Sequence, residues 1–165
     1  MDSENIANAF VDYLKENDWK YKFNKEKGFI QTGVKLDGKL KQCVLIIDIN
    51  GSDIVTYGLI DIKSDEENRV NMSELLHRIN YGLVYGNFEF DYANGDIRFK
   101  YSMDCQDIDL SQDMINRMIT YPIIIVNKFG DALLKVLFGL ATPEEACNQI
   151  KSSIEEENKQ DNINT

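Results

Sequence analysis

The chain has one histidine and three cysteines, so few of its residues could hold a metal or form a covalent intermediate. His77 follows Glu74 at i, i+3, which sets both on one helix face. The pair offers two ligands, whereas a structural metal takes four. A solvated helix histidine is the simpler reading. Cys43, Cys105 and Cys147 are odd in number, and no two lie at C-x-x-C spacing. They read as small apolar residues of a reducing compartment, which points to the cytoplasm. Cys105 stands near Asp104 and Asp107, acids that leave less thiolate for attack. A dyad of Cys105 or Cys43 with His77 stays open, with nothing to favour it. Asp104, Asp107 and Asp109 lack the spacing, glycine and closing glutamate of a calcium loop. No glycine pattern matches a phosphate-cradling loop. The residues therefore predict no catalytic, metal or cofactor site.

Charge excludes further classes. With 18 Lys and Arg against 28 Asp and Glu among 165 residues, the net charge is −10. A phosphate backbone needs a basic footprint, so nucleic acid is not the expected partner. An anionic membrane surface is excluded on the same ground. The longest apolar run, Cys43 to Ile47, is far too short to span a bilayer. The acidic N-terminus is no secretory n-region.

Elements that could position these residues follow from periodicity. Ile6, Ala9, Phe10, Tyr13 and Leu14 recur at helical spacing and predict a first helix ending near Asn17-Asp18. Trp19, Tyr21 and Phe23 alternate with polar residues, a short strand expected to pack under that helix. A strand from Gly28 to Leu36 follows. Asp37-Gly38 predicts a two-residue hairpin loop. The strand Cys43 to Ile49 is apolar on both faces, which predicts a central place in the sheet. A two-residue loop at Asn50-Gly51 would set Asp48 against Asp53, so a longer loop is expected before the strand Ile54 to Ile62.

After the charge run at Asp65-Glu66-Glu67, read as a solvated face, Asn71 and Glu74 read as a capping box. The second helix follows through Leu75, Leu76, Ile79 and Leu83. An Asn94-Gly95 loop would pair Tyr92 with Ile97, Phe90 with Phe99 and Phe88 with Tyr101, and would set Glu89 against Lys100 on the other face. Ser111 caps a third helix, in which Pro122 predicts a kink or restart. Gly139 ends it. Thr142-Pro143-Glu144-Glu145 opens the last helix. The order α-β-β-β-β-α-β-β-α-α predicts an α+β fold with one antiparallel sheet flanked by helices. Residues 1–154 read as a single domain, and 155–165 as an acidic, disordered tail.

Two short motifs carry a family resemblance. Ser73-Glu74-Leu75-Leu76-His77-Arg78-Ile79-Asn80, followed by Gly86-Asn87-Phe88-Glu89-Phe90-Asp91, resembles the YbjN-like family, described as bacterial sensory transduction regulators. Gly139 with Thr142-Pro143-Glu144-Glu145-Ala146 resembles that family's closing motif. The resemblance covers roughly residues 4 to 150. It implies a fold like that of type III secretion chaperones, small acidic cytoplasmic proteins that bind other proteins and dimerise. It carries over no catalytic residue. It marks Asn80, Gly86, Phe88, Asp91, Gly139 and Pro143 as motif positions. Asn80 reads as a buried amide that satisfies backbone.

The function expected is a non-enzymatic protein-interaction module that binds another polypeptide through sheet or helix surfaces. The alternative is a small-molecule binder or small enzyme with a pocket between sheet and helices. His77, Tyr81 and Tyr85 at i, i+4, i+8 form a stripe away from the core of the second helix. Ile123 and Ile124 fall outside the core arc of the third. These five residues are the expected interface of a homodimer, since aromatic residues on a polar face have the composition of interface centres.

Overall fold

A computed structural model describes the backbone of residues 2–163 and the side chains of residues 2–153. The tail reading over 155–165 falls outside the described side chains. The order is α1 (Ser3–Glu16), β1 (Tyr21–Asn24), β2 (Phe29–Lys35), β3 (Gln42–Asn50), β4 (Asp53–Lys63), α2 (Arg69–Tyr81), β5 (Asn87–Phe90), β6 (Asp96–Asp104), α3 (Gln112–Leu137) and α4 (Pro143–Ile163). The strands form one six-stranded sheet in the order β1-β2-β3-β4-β6-β5, with every pairing antiparallel. This is the α+β fold and element order that the sequence predicts.

One face of the sheet carries the core. A row across it runs Phe88, Phe99, Gly58, Leu45, Thr32 and Tyr21, from β5 to β1. The next row holds Ile97, Ile60 and Cys43 at one end, and Ile47 with Ile30 lie on the same face; all are buried. Buried side chains of α1, α2 and α3 complete this core. Gly58 lets α3 come close: a Cβ there would stand 3.2 Å from Val126 Cγ2 and 3.6 Å from Pro122 Cβ. Trp19, Tyr21 and Phe23 turn to this face but are only half-buried, because β1 is the sheet's outer strand. The opposite face bears half-buried Val44, Ile46, Val55, Tyr57 and Leu59. So β3 is central, but buried on one face only.

Thr56 lies in the core face, fully buried, and its hydroxyl has no hydrogen-bond partner among the described residues. Exchanging a partnerless buried hydroxyl for a methyl removes a desolvation cost. Thr56→Val is therefore expected to raise stability by about 1 kcal/mol in denaturant titration. A fall instead would show that a buried water satisfies the hydroxyl.

Several local expectations are corrected. The β2–β3 connection is a four-residue loop, since Leu36 N–H donates to the Lys41 carbonyl (2.8 Å) beyond Asp37-Gly38-Lys39-Leu40. Its geometry is set by α3: Gly38 and Lys39 N–H groups donate to Asn127 (3.2 Å) and Asp131 (3.0 Å). The β3–β4 loop is not longer than two residues. It moves by one, to Gly51-Ser52, pairing Asn50 with Asp53 and Asp48 with Val55. That shift relieves the opposed carboxylates.

The β5–β6 register differs by two residues. Phe88 pairs with Phe99, Glu89 with Arg98 and Phe90 with Ile97. The faces are as expected, the partners are not. The Asp91 carboxylate accepts the Ala93 N–H (2.9 Å), and Gly95 N–H closes on the Asp91 carbonyl (2.8 Å), which makes a four-residue loop. Helix α2 starts at Arg69 rather than Asn71, because Asp65 accepts the Asn68 N–H (2.9 Å) and builds the preceding turn. Glu74 instead binds Arg78 (2.7 Å). Helix α3 does not restart at Pro122.

Candidate functional site

The motif residues gather around β5. Asn80, on the last turn of α2, accepts the Phe88 N–H at Oδ1 (2.7 Å) and donates from Nδ2 to the Phe88 carbonyl (2.9 Å). The amide thus clasps the outer edge of β5, where a further strand would otherwise pair. Gly86 has φ +68°, and a Cβ there would stand 2.5 Å from the Lys100 carbonyl oxygen. Phe88 packs edge-on against Phe99 (5.1 Å) and Phe129 (6.0 Å). Asp91 shapes the hairpin loop. Far from these, Gly139 (φ +65°) closes α3. Thr142 and Glu145 form a reciprocal capping box around Pro143, with Thr142 N–H donating to Glu145 (2.8 Å) and Glu145 N–H donating to Thr142 Oγ1 (3.3 Å). Those contacts hold the Glu145 carboxyl below its usual range.

The candidate chemical groups stay apart. Burial pushes the Cys43 thiol up to about 12. Burial also raises Cys105, with Asp104 adding to it, and raises Cys147. These thiols are protonated at neutral pH and poor nucleophiles. Among the described residues no group of His, Cys, Asp and Glu could hold a metal.

Of the five expected interface residues, the structure unites two. Tyr81 stands on the solvent crest of α2 with His77 and Val70; Tyr81 is 94% and Val70 65% exposed. Grooves flank this crest. One, of ≈ 470 Å³, runs between α2 and α4 past His77, Arg78, Tyr81, Cys147 and Lys151. The other, of ≈ 680 Å³, passes Val70, Ser73, Glu74, His77 and Phe90. Tyr85 leaves the stripe, because α2 ends at Tyr81; its ring stands edge-on to Tyr121 at 6.1 Å. Ile124 is exposed in a separate groove between α3 and α4, and Ile123 is half-buried.

Exposed apolar residues that the sequence does not single out include Val70, Val84 (80%), Phe138 (67%) and Leu140 (75%). Val70 was legible as a valine seven residues before His77. Leu140 stands three residues past the end of α3, two beyond its C-cap Phe138, where a hydrophobe commonly folds back onto the helix. A depression of ≈ 860 Å³ on the open sheet face has Val44 and Leu59 in its lining. The cations near it are already paired, Arg98 with Glu89 (2.6 Å) and Lys63 with Asp96 (2.9 Å).

A single-sheet α+β protein with a clasped edge strand and a helix crest bearing exposed Val70, His77 and Tyr81 is thus defined. Its fold is similar to the crystal structure of YbjN, "a putative transcription regulator from E. coli". The TM-score is 0.56 at 6% identity, covering 76% of this chain and 91% of that one. The YbjN family, "Putative bacterial sensory transduction regulator", matches residues 8–135, and the chain belongs to that family. No curated protein matches the chain. Among the described residues, no helix is long and apolar enough to cross a membrane.

Proposed function

We propose that the protein is a non-enzymatic regulator of the cytoplasm that acts by binding another polypeptide, and that it is a homodimer. The observation that carries this is the exposure of the apolar side chains of Val70, Tyr81 and Val84 along and just beyond α2. Large apolar residues left open beside grooves have the make-up of an interaction surface. Family membership supports a regulatory role. Near Tyr81 the cations Arg78 and Lys151 are set against Glu74 and Glu144, so the local charge is close to balanced and does not oppose self-association.

Sedimentation tests this. The wild type is expected to run as a dimer, and a Tyr81→Asp, Val84→Asp variant as a folded monomer. Tyr85 is left alone because it packs on Tyr121. Both sites are exposed, so stability should change by no more than about 0.5 kcal/mol. If both proteins run as one species, the crest is not a self-association surface. The α2–α4 groove favours a second reading, a small-molecule site. A metabolite that raises the melting temperature would support it.

A further inference from the structure

The chain has two Asn-Gly pairs, Asn50-Gly51 and Asn94-Gly95. Asparagine is a labile residue, most of all before glycine, where no Cβ hinders the following backbone nitrogen from reaching the asparagine Cγ. Both pairs lie at hairpin loops, and the fold treats them oppositely. Asn50 is exposed at the end of β3, and its amide makes no hydrogen bond among the described residues. The Gly51 N–H has no acceptor among them either, and nothing lies within 4 Å of a Cβ built on Gly51. Turning Asn50 toward Gly51 costs the ladder only its closing pair, Asn50 with Asp53. Asn94 is held. Its Oδ1 accepts the Asp96 N–H (3.0 Å), the Gly95 N–H donates to the Asp91 carbonyl (2.8 Å), and Gly95 is pressed against Ser64. Attack at Asn94 requires those contacts to part first.

The register also sets what loss of the amide would do. Asn50 faces Asp53 across β3 and β4, and Asp53 faces Asp104 across β4 and β6. Directly opposed residues point to one side of a sheet, so the amide stands at the head of a row of carboxylates. Asp48 lies on the same side, two residues back along β3. Asp48, Asp53 and Asp104 make no ion pair among the described residues. A carboxylate at position 50 would face like charge on the neighbouring strand, which is destabilising. The turn that would yield is tied to the end of β6. Cys105 N–H donates to the Ser52 carbonyl (2.9 Å), and Ser52 Oγ donates to Asp104 (3.1 Å).

We propose that Asn50 is a site of spontaneous deamidation, that Asn94 is protected from it, and that conversion at position 50 loosens the β3–β4 turn from β6. The Gly51 nitrogen gives its proton to base and attacks Asn50 Cγ. The N–Cγ bond forms, the Cγ–Nδ2 bond breaks, and the amide nitrogen takes a proton from solvent and leaves as ammonia. Water then adds to either carbonyl of the cyclic succinimide and opens it, to aspartate or to isoaspartate. The isoaspartyl chain carries an extra backbone atom, which the closing pair of the hairpin cannot match.

The test keeps the full chain at mildly alkaline pH for several days and follows each asparagine by peptide mass mapping, which reads the exchange of amide for acid. In the folded protein Asn50 is expected to convert at least about tenfold faster than Asn94, because Asn94 must first open. In concentrated urea the two are expected to convert alike. Gly51→Ala is expected to slow conversion at position 50 and to leave Asn94 unchanged. Isoaspartate is expected among the products, detected by methyl transfer from a protein isoaspartate methyltransferase. Hydrogen exchange at the Cys105 amide is expected to quicken in the converted protein. Asn50→Asp adds the charge without lengthening the chain. It is expected to lower the urea midpoint at low salt, with added salt restoring part of the loss.

The site assignment is overturned if Asn94 converts as fast as Asn50 in the folded protein, or if Asn50 keeps its amide there while both convert in urea. It is also overturned if Gly51→Ala converts at the wild-type rate, since the Gly51 nitrogen would then not be the attacking group. Unchanged exchange at the Cys105 amide after conversion overturns the loosening of the turn. An Asn50→Asp variant as stable as the wild type at low salt overturns the part assigned to like charge.

Discussion

Replacing Gly95 by alanine is expected to destabilise the protein by about 2–4 kcal/mol, the sum of a left-handed backbone penalty and a forced shift in a packed region. Gly95 has φ +79°, and a Cβ built on it would lie 2.0 Å from the Ser64 carbonyl oxygen. Backbone rather than a flexible side chain is in the way. The close approach is itself held by a hydrogen bond, as Ser64 N–H donates to the Gly95 carbonyl (2.9 Å). Room for a methyl comes only by parting the β5–β6 loop from the end of β4. Gly51 is the control: its φ is +64°, yet nothing lies within 4 Å of a Cβ there. Gly51→Ala is expected to cost about 1 kcal/mol, from the backbone conformation alone. The difference between the two urea midpoints measures the close contact. Equal losses would show that Ser64 yields freely.

These two glycines also show where the sequence stops being legible. Element order follows from periodicity, because helical and alternating spacing are local properties that each segment carries whole. Register does not follow. Asn94-Gly95 reads as a two-residue turn, but Gly95 is needed where the hairpin passes Ser64, thirty-one positions earlier in the chain. Asp37-Gly38 reads the same way, but its loop is laid down on Asn127 and Asp131 of α3, with Leu40 seated over Gly130. In each case a distant partner outweighs the local turn preference. The alternation of faces survives because a two-residue slip preserves it. The exposed apolar residues, those of the proposed surface among them, are only half legible for a related reason. Tyr81 stands out as an aromatic on a polar helix face. Val70, Phe138 and Leu140 do not, since a lone hydrophobe near a helix end reads like core until packing leaves it outside.

Asn80→Ala is expected to cost about 2–3 kcal/mol, near the top of the range for an interior polar group that loses its partners. The amide fills both backbone positions of Phe88 at once. Phe88 is 3% exposed, so water cannot readily replace the lost bonds. Alanine would leave an N–H and a C=O unpaired together. Asn80→Asp separates the two: its carboxylate still accepts the Phe88 N–H, but faces the Phe88 carbonyl with no donor and a negative charge. It should therefore be no more stable than the alanine variant. A glutamine, one methylene longer, should recover little, because the clasp depends on the amide's reach. Hydrogen exchange at the Phe88 amide is the direct readout, expected to quicken in all three variants before the rest of the sheet opens. An unchanged melting temperature with unchanged exchange would mean the clasp contributes nothing. The clasp also has a consequence for binding. It ties the last turn of α2 to β5, so its loss should loosen the Tyr81 end of the crest while the Val70 end stays held by Asn68 on Leu137. Dimerisation should then weaken. An unchanged dimer would mean that the Tyr81 end of α2 keeps its place without the clasp.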